Sequence, residues 1–90
     1  MPPFNVLLSR KAEKGFFRSV PKLKERLSEL FDTLEEDPVP VKKYNVTKIT
    51  GTPSDYRVRL SGYRVLYEIN WKDDEIKVYE VGKKKDRTYK

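Results

Sequence analysis

The 90 residues contain no cysteine and no histidine. Without cysteine there is no disulfide framework and no thiolate metal site. Without histidine the commonest metal ligand and the usual general base near neutral pH are missing as well. Hydrolytic schemes built on a histidine pair, or on Ser–His or Cys–His partners, are thereby excluded. Long apolar runs are also lacking. Nothing approaches the roughly 18 residues that span a bilayer, and the first residues show neither the basic start nor the apolar stretch of a secretory signal. The expectation is a cytoplasmic protein with no membrane contact. Acidic charge is scarce too: 14 Asp+Glu against 20 Lys+Arg leave a net charge of +6.

What is present is unevenly spread. Segment 21–37 holds three basic and six acidic residues, whereas segment 83–90 holds five basic residues and one acidic. A basic surplus gathered at one end implies a located contact with an anionic partner. At this length the chain is expected to form one domain over residues 1–90.

Phe4–Leu8 is a short apolar run that predicts a first strand, followed by Ser9 as a helix N-cap. Ala12, Phe16 and Val20 recur at four-residue spacing and predict a short amphipathic helix over 10–19. Pro21 fits the first turn of a second helix, in which Leu23, Leu27, Leu30, Phe31 and Leu34 form one apolar stripe. Asp37-Pro38-Val39-Pro40 ends it. Residues 41–50 are mixed and β-prone, and Thr52-Pro53-Ser54-Asp55 is turn chemistry. Strands are expected at about 56–60, 63–70 and 76–81. The reading is an α+β domain of order β-α-α-β-β-β, an N-terminal helical hairpin packed on a mostly antiparallel, twisted sheet.

The two residues Ser61-Gly62 predict a tight hairpin whose register can be worked out. Leu60 then faces Tyr63, Arg59 faces Arg64, Val58 faces Val65, Arg57 faces Leu66 and Tyr56 faces Tyr67. Strand side chains alternate between faces, so the tyrosines and valines point to the core while Arg57, Arg59 and Arg64 share the opposite face. Like charges directly opposite one another are destabilising, and a guanidinium matches phosphate oxygens in a bidentate fork. Alternating arginines are equally the ordinary pattern of a solvated sheet face, and a terminal lysine run that of a solvated tail. The opposition of Arg59 and Arg64 favours an anion site. Extending the register through Lys72–Glu75 places Lys83 opposite Arg64, with the tail Lys83–Lys90 beside the arginines. The same register sets Glu80 on the core face opposite Tyr67, a conflict that a bulge near 79–81 would repair. Trp71, at a strand end, is read as packing, with stacking on a base the alternative.

Tyr56-Arg57-Val58-Arg59-Leu60, Ser61-Gly62-Tyr63-Arg64-Val65-Leu66-Tyr67, Val81-Gly82-Lys83-Lys84 and Arg87-Thr88-Tyr89 together resemble the RelE/ParE toxin superfamily. The likeness extends through the two helices and Lys48-Ile49 before Gly51, along nearly the whole chain. It implies a RelE-like, microbial-RNase-like fold and the toxin of a type II toxin–antitoxin system. The implied activity is that of a ribosome-dependent, metal-independent endoribonuclease, without cofactor, that cuts mRNA in the ribosomal A site and stops translation. The implied partners are a RelB-like antitoxin, in a heterodimer or heterotetramer, and the 70S-type ribosome with its mRNA. The resemblance further implies catalytic roles for Arg59, Arg64, Lys84, Arg87 and Tyr89, and RNA contacts for Arg57, Lys83, Lys85 and Lys90.

The implied reaction is attack of a 2′-OH on the adjacent phosphate, leaving a 2′,3′-cyclic phosphate and a 5′-OH. Arg64 and Lys84 would stabilise the phosphorane charge. Arg59 and Arg87 would hold the phosphate in line. Tyr89 would move a proton, its ordinary pKa near 10 lowered by surrounding cations. Positions 57 and 59 depart from RelE, which favours lysine there, and an arginine stays protonated and is no general base. Lys84 stands where the family usually has arginine, and the spacing to Tyr89 is one residue shorter, so Arg87 is expected to take over that role. Two other functions remain open at this point: a ParE-like inhibitor of DNA gyrase, and a catalytically inactive basic module that binds RNA or the ribosome.

Overall fold

The structure is a computed structural model, and it describes residues 3–83. Its elements are β1 (Asn5–Leu8), α1 (Arg10–Arg18), α2 (Pro21–Glu36), β2 (Asn45–Lys48), β3 (Asp55–Leu60), β4 (Tyr63–Asn70) and β5 (Glu75–Lys83). The five strands form one sheet in the order β1-β5-β4-β3-β2, antiparallel except for the parallel pair β1 and β5. The α+β class and the helix–helix–sheet arrangement agree with the sequence reading. The sheet holds one strand more than that reading counted, because part of the β-prone segment 41–50 pairs as β2 along the outer edge of β3.

Both helices start where the local chemistry predicts. Ser9 caps α1, its Oγ accepting the Ala12 N–H at 3.1 Å. Pro21 occupies the first turn of α2, where its missing N–H costs nothing. Leu23, Leu27, Leu30 and Leu34 recur at helical spacing and are buried. They meet Val58, Leu60, Val65, Tyr67, Ile69, Ile76, Val78 and Val81 from the sheet in one apolar cluster. Tyr67 lies at its centre, stacked on Tyr56 with ring centroids 5.8 Å apart. Its buried hydroxyl donates to the Pro38 carbonyl at 2.7 Å, which ties the end of α2 to the sheet. Trp71 packs edge-on against Phe4, centroids 5.7 Å apart, in agreement with the packing role.

α1 crosses close to β5. Gly15 sits so near the Val81 carbonyl that a Cβ there would stand 1.8 Å from its oxygen, so this approach depends on glycine. No helix among the described residues is long and apolar enough to cross a membrane.

Candidate active site

The hairpin that carries the arginines has the register worked out from its turn. Leu60 faces Tyr63, Arg59 faces Arg64, Val58 faces Val65 and Arg57 faces Leu66. Ser61 and Gly62 both take positive φ, 50° and 79°, as a two-residue turn matched to strand twist demands. Arg26 of α2 hydrogen-bonds the Ser61 hydroxyl and fastens the turn to the helical layer. Arg57, Arg59 and Arg64 therefore lie together on the sheet face away from the helices, with Thr47 and Asn45 of β2 level with Arg57 and Arg59.

Across β4 and β5 the pairing differs from the simple extension of that register. Leu66 pairs with Glu80 and Tyr67 with Val78, so Tyr79 is an extra residue in β5. The bulge lies within the stretch where one was needed to remove Glu80 from the core. It also corrects the position of Lys83, which faces Tyr63, while Gly82 faces Arg64. By strand alternation Lys83 belongs to the helix side of the sheet and not to the arginine face. Lys84, Lys85, Arg87, Tyr89 and Lys90 lie outside the described residues.

The bulge region holds two side chains that the sequence reading left out of the site. Arg64 donates from Nε at 3.1 Å and from Nη2 at 2.9 Å to Oε2 of Glu80. Lys11 of α1 donates to the other oxygen, Oε1, at 3.2 Å. Burial works to raise the Glu80 carboxyl, but the hydrogen bonds and charges of Arg64 and Lys11 outweigh it and hold the group below the usual carboxylate range. Tyr79 reaches across β4, and its hydroxyl donates to Asp55 Oδ2 at 2.8 Å. Burial first, and the hydrogen bond to Asp55 second, push its phenol up to about 12, so it stays protonated at neutral pH. Their sequence signal is a break in period: Ile76 and Val78 are two apart, but the next inward residue is Val81.

The three arginines are not equivalent. Arg64 is half-buried and paired. Arg59 is exposed and forms no ion pair among the described residues. Arg57 is half-buried, and its Nε is enclosed without a hydrogen-bond partner among the described residues. One carboxylate thus offsets part of a charge cluster whose other donors meet no acceptor among the described residues, an arrangement suited to a multiply charged anion.

Comparison with known proteins agrees with this geometry. The family described as the ParE toxin of type II toxin–antitoxin systems matches residues 6–88. RelE1 of Methanocaldococcus jannaschii is 30% identical over 87 residues, covering 97% of this chain and 96% of that protein. A chain of the archaeal RelE–RelB complex from Pyrococcus horikoshii OT3 superimposes with a TM-score of 0.82 at 35% identity, covering 90% of this chain and 94% of that one. A chain of the intact E. coli RelBE complex shares the fold with a TM-score of 0.79 at 24% identity, covering 92% and 99%. With the family match spanning residues 6–88 and a relative 30% identical along nearly its whole length, the chain belongs to the RelE/ParE toxins of type II toxin–antitoxin systems.

Proposed function

We propose that this toxin is a ribosome-dependent endoribonuclease that cuts mRNA in the ribosomal A site. The observation that carries the reading is the facing pair Arg59–Arg64, flanked by Arg57, on the sheet face away from the helices. Facing residues of an antiparallel pair have Cα atoms roughly 4.5–5.5 Å apart. Two guanidinium groups so placed repel each other unless an anion lies between them. A phosphodiester supplies that anion, and the pentacovalent state formed by 2′-OH attack carries more negative charge than the ground state. Arginines fixed in place therefore favour the transition state over bound substrate.

In this mechanism Arg59 and Arg57 hold the phosphate and Arg64 stabilises the developing charge. Tyr79, with its raised pKa and its proton committed to Asp55, is no proton acceptor at neutral pH. Proton transfer is assigned to Tyr89, with Lys84 and Arg87 assisting at the phosphate and Lys85 and Lys90 contacting RNA. The protein acts in the cytoplasm as a single domain. Its partner is a RelB-like antitoxin, a reading supported by neighbours that are RelE–RelB complexes.

Primer extension on mRNA in a translation extract tests the proposal, with wild type and Arg64→Ala in parallel. The expected result is cuts at defined places within codons that require ribosomes and vanish in the variant. The ParE description of the matching family favours a second reading, inhibition of DNA gyrase. Intact mRNA together with blocked supercoiling by purified gyrase would establish that reading instead.

A further inference from the structure

We propose that Glu80 is a positioning residue that fixes the guanidinium of Arg64 on the sheet face. Its consequence for turnover rests on the nuclease reading above. The bulge at Tyr79 is what turns Glu80 outward, since without it the ladder that pairs Tyr67 with Val78 would continue to set Glu80 opposite the buried Val65. Once outward, Glu80 takes Arg64 by one edge, with Nε and Nη2 both donating to Oε2. Two of the five guanidinium N–H bonds are used, and the three left, both on Nη1 and one on Nη2, remain for a phosphate. Holding the planar group by two bonds removes its rotation before substrate arrives, so less ordering remains to be done at the moment of reaction.

Glu80 is itself held. Lys11 binds its second oxygen, and the Glu80 side chain is 19% exposed against 73% for Lys11. The chain of contacts runs from α1 through β5 to β4, so the orientation of Arg64 is referred to the helical layer and not to solvent. Arg59, directly opposite, has no such carboxylate among the described residues. The asymmetry gives the two arginines different tasks: Arg64 is set in advance, while Arg59 is free to follow the substrate.

The sign of the charge separates positioning from a purely structural ion pair. Glu80 is negative beside a phosphate site, so it weakens ground-state binding while it aligns Arg64. Removing it should leave KM unchanged or lower it, yet reduce kcat. A misplacement of about 1 Å near reacting atoms can cost on the order of a hundredfold. A stabilising pair alone would lower the melting temperature and leave both constants of the folded protein unchanged.

The test compares wild type, Glu80→Ala and the isosteric Glu80→Gln, which keeps an acceptor without the charge. The first readout needs no ribosome: the proton–nitrogen NMR signal of the Arg64 Nε–H, slowed in exchange by its hydrogen bond. The second is kcat and KM for ribosome-dependent mRNA cleavage. The expected result is an Nε–H signal that broadens or disappears in Glu80→Ala, with kcat down tenfold or more and KM not raised, and an intermediate loss in Glu80→Gln. An Nε–H signal equally protected in the variants overturns the proposal, as does an unchanged kcat with the signal lost. If wild type cuts no mRNA but its Nε–H protection depends on Glu80, the nuclease reading falls and the positioning contact stands. Should Glu80→Ala fail to fold, Glu80→Gln carries the same outcomes.

Discussion

Replacing Gly15 by alanine asks whether the contact between α1 and β5 is as tight as the geometry requires. The added Cβ would lie 1.8 Å from the Val81 oxygen, 2.8 Å from its carbonyl carbon and 3.1 Å from its Cβ. The first two are backbone atoms in a sheet, which cannot swing aside as a side chain can, so α1 must retreat by about an ångström or more. That retreat disturbs the Ser9 N–H bond to the Val78 carbonyl at 2.8 Å and the fully buried Ala12. Overpacking of this kind costs about 1–3 kcal/mol, and separating the packed surfaces adds lost dispersion. Alanine's helix preference returns about 1 kcal/mol. The net expectation is destabilisation by about 2 kcal/mol, a fall in melting temperature on the order of 10 °C for a domain of this size. Thermal unfolding followed by circular dichroism measures it, with Lys14→Ala on the exposed face of α1 as the control that should barely move. A Gly15→Ala protein as stable as wild type, or more stable, would refute the argument, because helix propensity would then outweigh the supposed clash.

Two further substitutions probe tyrosine hydroxyls. Tyr67→Phe removes the donor to the Pro38 carbonyl and leaves that oxygen unpaired, so a loss of about 1–3 kcal/mol is expected in urea unfolding with an unchanged denaturant slope. An unchanged midpoint would mean that the bond contributes nothing net. For Tyr79, the phenol is raised from 10.0 to about 12, so folding favours the protonated form. Its contribution is fully present below pH 10 and is lost as pH rises from 10 towards 12. Wild type should therefore lose stability over that interval more steeply than Tyr79→Phe, and parallel pH profiles would contradict the assignment.

The parts of the fold that could be read in advance are those fixed by short-range rules. Ser61-Gly62 sets the hairpin, the hairpin sets the register, and the register sets Arg59 against Arg64. The α2 stripe follows from helical spacing and the α1 start from one serine. β2 was harder to read because four residues of which only Val46 is even half-buried form a strand only when β3 offers an edge to pair with. The bulge in β5 was legible as a break in apolar period between Val78 and Val81. Its place at Tyr79 was not, because it depends on a phenol finding Asp55, 24 residues earlier in the chain. Glu80 could not be placed at the site until that was settled, and Lys83 was placed on the wrong face for the same reason.

That single extra residue links fold to site more closely than the arginines do alone. With Tyr79 unpaired, every residue after it changes face relative to an unbulged strand. Val81 can then fill the core against α1 where Glu80 would otherwise intrude, and Glu80 becomes the acceptor for Arg64 and Lys11. Gly82 falls opposite Arg64, where a Cβ would meet nothing within 4 Å among the described residues, so these leave the β5 side of that guanidinium uncovered. Arg64 is thus bounded by a like charge on β3, by a carboxylate two residues along β5, and by no side chain at its level on that strand. An anion approaching Arg59 and Arg64 is drawn by both charges, and among the described residues nothing over Gly82 bars it from reaching them without displacing Glu80. The bulge that relieves a buried carboxylate is therefore also the feature that gives the arginine face its shape.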